Sequence, residues 1–190
     1  MPAAKKRLAF LAALAASGVL VALALLSAGS GGKSGSMSRA PHPVWEEARW
    51  PFPADPWGPG LAFRCAATEC GRDAVLYVRA KLGFCNCAAG IADDDDLDRM
   101  SDFDLIGSEA SPLGDGRPLT VGAMKGRYRA YALNGRPGRT ALSVALNERC
   151  DMIIAMAVLE QDWTTAAESV VLAFLSSPTI LEFAAEKIGL

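Results

Sequence analysis

The chain has 190 residues, with 19 lysines and arginines against 21 aspartates and glutamates and a formal net charge of −2. A length of that order holds one domain with a real core, and the charge balance excludes a general binder of nucleic acid or of anionic membrane surface. With one histidine, His42, set between Pro41 and Pro43, multi-histidine metal centres are excluded. A Ser-His or Cys-His nucleophile pair would need that linker residue to fold back.

Lys5, Lys6 and Arg7 precede the uncharged run "LAFLAALAASGVLVALALLSAG", and no acidic residue occurs before Glu46. Leu8 to Leu26 is 19 residues, which as a helix spans about 28 Å, close to the hydrocarbon thickness of a bilayer. A cationic front followed by an apolar stretch is the pattern of an export signal and keeps the N-terminus inside. The run is longer than the ~7 to 15 apolar residues of a cleavable signal core. Residues 1–28 are therefore expected to be a signal-anchor spanning the inner membrane through residues 8–26. The exits Ser27-Ala28-Gly29 and Ala28-Gly29-Ser30 leave cleavage open as the alternative. Either way, everything after residue 30 is expected to face the outside. Without the three basic residues of the front, 16 basic side chains face 21 acidic ones, a net of −5.

Residues 29–60 read as a linker and an arm. "GSGGKSGSMSRAP" is Gly/Ser chain with no apolar period. Its Gly32-Lys33-Ser34 mimics the tail of a phosphate-binding loop, but position 27 is serine where that loop needs glycine, and no strand precedes it. The arm "PHPVWEEARWPFPADPWGPG" holds Trp45, Trp50 and Trp57 among six prolines. Such chain is extended and supplies no core of its own. It either lays its indoles on the domain or offers them to a partner or the membrane interface.

Residues 61–190 read as one α+β domain, an antiparallel sheet with helices packed on it. "LAFRC" and "AVLYVRAKL" are strands, the second with Val75, Tyr77 and Arg79 on one face. Leu97, Met100, Phe103 and Ile106 recur every three residues as a helical stripe that begins at the aspartate run. "LTVGAM" and "RYRAYAL" are strands, and "NGRPGR" is a turn. In "TALSVALN", Leu142, Val144 and Leu146 alternate with Ala141, Ser143 and Ala145. "MIIAMAVL" suits a central strand buried on both sides. Thr165 with Glu168 forms a capping box for a first closing helix, and Ser177-Pro178 opens a second.

Five cysteines punctuate this domain: Cys65, Cys70, Cys85, Cys87 and Cys150. In an oxidising compartment the default is cross-linking. A Cys85–Cys87 bridge would close a very small, strained ring. One or two bridges from Cys65/Cys70 to Cys85/Cys87 are thus expected, with Cys150 an inert thiol on the core face. Two rival readings use the same four cysteines. One is a thiolate site for zinc or copper(I), although C-x₄-C followed by C-x-C departs from the usual C-x₂-C pairs. The other is a redox-active C-x-C pair.

Asp94, Asp96 and Asp98 spell D-x-D-x-D without the glycine and glutamate of a calcium loop, and read as a solvated helix start favoured by the helix dipole. On a larger scale, residues 93–104 carry seven aspartates and one arginine, while residues 117–139 carry six basic residues and no acid. Either the patches meet as an intramolecular complement, or the basic hairpin grips an acidic partner through Arg127 and Arg129 with Tyr128 and Tyr131 between.

"WPFPADPWGPGLAFRC", "RAKLGFCNC", "DDDDLDR", "PLGDGRP" and "NERCDMIIA" together resemble a family of bacterial exported or membrane-anchored proteins with no assigned function. The resemblance implies an envelope location and names no catalytic residue or cofactor. The closing order of strands and helices is also loosely similar to PsbP-like accessory domains, an analogy of fold that does not carry function. The function expected is a non-enzymatic envelope domain that binds or helps assemble an unidentified envelope protein. The alternative is a thiol-redox or soft-metal protein using Cys65, Cys70, Cys85 and Cys87. A carboxylate-based hydrolase or transferase is least supported, because nucleophile motifs are missing.

Overall fold

The computed structural model describes residues 43–83, 90–107, 109–135 and 137–190. The expected membrane span, the Gly/Ser linker, His42, Cys85 and Cys87 lie outside them.

Alternating and continuous apolar runs build an antiparallel sheet of eight strands among the described residues. Its inner strands are β2 (Leu61–Cys65), β3 (Ala74–Lys81), β6 (Met124–Leu133), β7 (Thr140–Glu148) and β8 (Asp151–Leu159). In space they run β2-β3-β8-β7-β6. As its composition requires, β8 is central: Ala155 lies opposite Val78 on one side and Val144 on the other, and Met152 through Leu159 are all buried. β1 (Glu46–Ala48) pairs with β2 at one margin. At the other, β4 (Ala110–Pro112) and β5 (Arg117–Val121) both pair with the outer side of β6. The arm thus supplies an edge strand, which its Pro/Trp composition concealed because Glu-Glu-Ala has no apolar alternation.

Both faces of the sheet are covered. On one, Val171 and Leu175 of α3 (Thr165–Leu175) and Ile180, Ala184 and Ile188 of α4 (Pro178–Ile188) pack on Leu76, Val78, Leu142, Val144, Leu146 and Ile153. On the other, Leu97 of α2 (Asp94–Met100), with Met100, Phe103 and Ile106, covers Ala141, Ala145, Ile154 and Met156. No single described helix is long and apolar enough to cross a membrane; α3 and α4 reach that length only as a pair bent by 55°.

Three local expectations need correction. The stripe from Leu97 to Ile106 does reach one cluster, but α2 ends at Met100. Residues 102–107 continue as tight turns, with Leu105, Ile106 and Gly107 donating to Asp102, Phe103 and Asp104. A three-residue period suits such i→i+3 turns better than an α-helix. "LTVGAM" is not one strand. It breaks at Gly122, whose φ of 58° allows a two-residue turn that sets Val121 opposite Met124. The cap of α3 is Thr164, not Thr165: its hydroxyl accepts the Ala167 N–H at 3.2 Å, and Glu168 turns into the protein instead. Pro178 does occupy the first turn of α4 after Ser177, though without a side-chain cap bond.

Candidate functional site

The acidic start of α2 and the basic strand β6 meet. Asp93 caps the helix by accepting the Asp96 N–H at 2.8 Å, which leaves Asp94 and Asp98 free to face the sheet. Asp94 Oδ1 accepts from Arg127 at 2.7 Å, and Asp98 Oδ2 lies 3.4 Å from Arg129 Nη1. The buried Tyr131 hydroxyl donates to Asp98. These residues sit on alternate positions of β6, so one face of the strand presents all three to the helix. The Gly116 N–H bound to Asp94 is the main influence holding that carboxyl below its ordinary range, and Arg127 reinforces it against burial. Burial first, and then the adjoining Asp98 carboxylate, push the Tyr131 phenol up. On the opposite face Tyr128 is buried, 3.3 Å from Glu168, which also pairs with Arg117. Of the two arrangements open to the charged patches, the intramolecular complement is the one observed.

A second network lies one strand pair away. Arg79 and Lys81 are on the same face of β3, and both side chains are nearly inaccessible. Asp102, in the turn after α2, takes Arg79 Nε and Nη2 at 2.6 Å each and Lys81 Nζ at 2.7 Å. Lys81 also donates to the Met100 carbonyl at 2.8 Å, while Arg79 Nη1 reaches Asp55 of the arm. Burying three charges, Arg79, Lys81 and Asp102, is tolerable only because each is paired and hydrogen-bonded. For Arg79, burial pulls the guanidinium pKa down, but its bonds to Asp102 and Asp55 more than reverse this. No sequence motif marked this cluster. Its one signal was a pair of basic residues at period two inside the apolar strand "LYVRAKL".

The arm lays Trp45 and Trp50 on the domain. Trp45 stacks on Phe174 of α3 with centroids 4.9 Å apart, and Trp50 meets Tyr77 edge-on at 6.1 Å. Trp57 is 41% exposed. Gly60 makes the close approach of Trp50 feasible, since a Cβ there would run into the Val78 carbonyl and the indole.

The cysteine connectivity differs from expectation. Cys65 and Cys70 are bonded to each other. Cys65 ends β2, and the single turn α1 (Ala67–Cys70) swings the chain back so that the two Cα atoms are 5.9 Å apart, within normal bridging range. Spacing alone did not reveal that reversal. Cys150 is disulfide-bonded as well, so the inert-thiol reading of it is also corrected. In the turn between β7 and β8 it is only partly buried, not on the core face. The proposed Cys65/Cys70/Cys85/Cys87 thiolate site loses its first two ligands while their bridge stands. Among the described residues no group of three or more His, Cys, Asp or Glu is placed to hold a metal ion.

A groove of about 710 Å³ opens beside the β6–β7 turn, lined in part by Leu133, Pro137, Thr140 and Trp163. Two polar groups in it are already engaged: Thr140 donates to the Gln161 carbonyl at 2.6 Å, and Arg139 pairs with Glu160 at 3.0 Å. Comparison with protein-family models finds no match, and comparison with curated proteins finds none at the similarity required.

Proposed function

We propose that this chain is a membrane-anchored or secreted envelope domain that binds, or helps assemble, an unidentified envelope protein without catalysing a reaction. The carrying observation is that four basic side chains under α2 and the turn that follows it are each paired with a carboxylate. Arg127 and Arg129 are held by Asp94 and Asp98, and Arg79 and Lys81 by Asp102 and Asp55. Acid–base catalysis needs a titratable group presented to a substrate, whereas these groups fasten a helix and an arm to a sheet. The cationic front and apolar run of residues 5–26 support the envelope location, and the Cys65–Cys70 bridge is in keeping with an oxidising compartment.

Affinity purification of the full chain from membranes tests this reading, with metal content and thiol state measured on the same sample. A protein recovered in fixed stoichiometry is expected. Recovery of the chain alone, or with tightly bound copper or zinc, defeats it, the latter in favour of the soft-metal alternative.

A further inference from the structure

Charge counting around Asp102 points to a recognition site. The buried group on the sheet comprises two cations, Arg79 and Lys81, and one carboxylate, Asp102. Asp102 spends both oxygens on them. The body alone therefore carries one unmatched positive charge, with Arg79 Nη1 as the donor left over. Asp55 satisfies it, from a loop and not from the body. The Asp55 side chain is 26% exposed against 6% for Arg79, so the carboxylate is the solvent-facing member of the pair and covers the guanidinium. Beside the Arg79–Asp102 pair, Tyr77, Leu105, Ile106 and Met156 of the body and Trp50 and Phe52 of the loop line an apolar cleft, with no further charged side chain in the lining.

The loop, residues 49–60, is clamped at both ends by the strand pairs of β1 and β2. Between those ends, Phe52 and Trp50 meet Tyr77 edge-on and Asp55 meets Arg79. Asp55 is shaped for its task before it docks. Its Oδ1 accepts the Trp57 N–H at 2.9 Å and its carbonyl accepts the Gly58 N–H at 3.0 Å, which aims Oδ2 at Arg79. Contacts made by side chains can be exchanged without unzipping the sheet.

We propose that Arg79, backed by Lys81 and Asp102 and walled by Tyr77 and Met156, is a carboxylate-recognition site for an extended acidic segment of the partner protein, and that Asp55 on its aromatic loop is the built-in competitor. This rests on the partner-binding reading. It adds where the partner docks and which chemistry the site accepts: an aspartate or glutamate flanked by aromatic or proline residues, as in the chain's own "WPFPADPW". While the loop is down the site is self-occupied, and a partner segment must outcompete it.

Chemical rescue tests the site without the partner. The full chain carrying Asp55→Ala is expected to melt several degrees below wild type and to recover most of that loss in formate, but not in chloride of equal ionic strength. Wild type should not distinguish the two salts. Equal melting in formate and chloride overturns the proposal, whatever the membrane purification yields. Should that variant fail to fold, Asp55→Asn keeps the acceptor for Trp57 and removes the charge. A labelled synthetic peptide of residues 49–57 should bind the Asp55→Asn chain at least tenfold more tightly than wild type. The same peptide made with the Asp55→Asn change should bind neither chain. Equal binding of the aspartate peptide to both chains, or equal binding of both peptides, overturns the proposal.

Discussion

Asp94 and Gly116 are in direct contact: Asp94 Oδ2 accepts the Gly116 N–H at 2.8 Å, and a Cβ at residue 116 would overlap the carboxylate. The glycine is thus fixed by a neighbour and not by a turn geometry. Gly116→Ala is expected to cost about 1–3 kcal/mol through overpacking. Urea denaturation measures it. In the background of Asp94→Ala the same substitution should cost markedly less, because the obstructing group is gone.

The same carboxylate makes stability depend on pH. The Asp94 pKa is lowered in the fold from its ordinary 3.8, so the folded state binds its proton less readily than the unfolded chain does. Its contribution is fully present above about 4 and is lost as pH falls through the lower folded value. Asp55 shifts in the same direction: burial pushes it up, but its bonds to Arg79 and Trp57 prevail. Urea midpoints of wild type should therefore fall more steeply below pH 4 than those of Asp94→Asn. Parallel curves would mean that the bonds of the Asp94 carboxylate to Gly116 and Arg127 are energetically silent.

Trp45 carries the attachment of β1. Its stack on Phe174 and its packing near Cys65, Ala74 and Leu159 join the arm both to α3 and to the sheet. Trp45→Ala is expected to cost about 2–4 kcal/mol, somewhat less than a wholly buried tryptophan because the ring is partly exposed. Hydrogen exchange at Glu46–Ala48 should accelerate in the variant while β8 stays protected. Uniform loss of protection would instead place Trp45 in the global core.

The Cys65–Cys70 bridge spans a sequence separation of 5, a short loop. Its removal by a paired Cys65→Ser and Cys70→Ser substitution should cost about 2 kcal/mol by loop entropy. Calorimetry of the double variant measures this, and a loss near zero would show that α1 holds its turn unaided.

How far the sequence revealed this arrangement depends on the scale of the signal. β8 and β7 were legible because apolar runs and period-two alternation are dictated by burial within the strand itself. The complement between α2 and β6 was legible only as one of two alternatives, since opposite charges in separate segments do not say whether they touch. The Arg79–Lys81–Asp102–Asp55 cluster was opaque. Its members come from separated stretches, and only the sheet register and the turn after Met100 unite them. The Cys65–Cys70 pairing was missed for a related reason: one helical turn between two cysteines reverses the chain, and "ATE" looks the same whether it does so or not.

The far margin of the sheet has a consequence for how the molecule behaves at high concentration. β4 and β5 divide the outer side of β6 between them, and each contains a proline, Pro112 and Pro118. The near margin is the three-residue β1, with two glutamates. Neither border offers another chain a long uncharged ladder of amides to add to, so the fold resists fibril growth through its own strands.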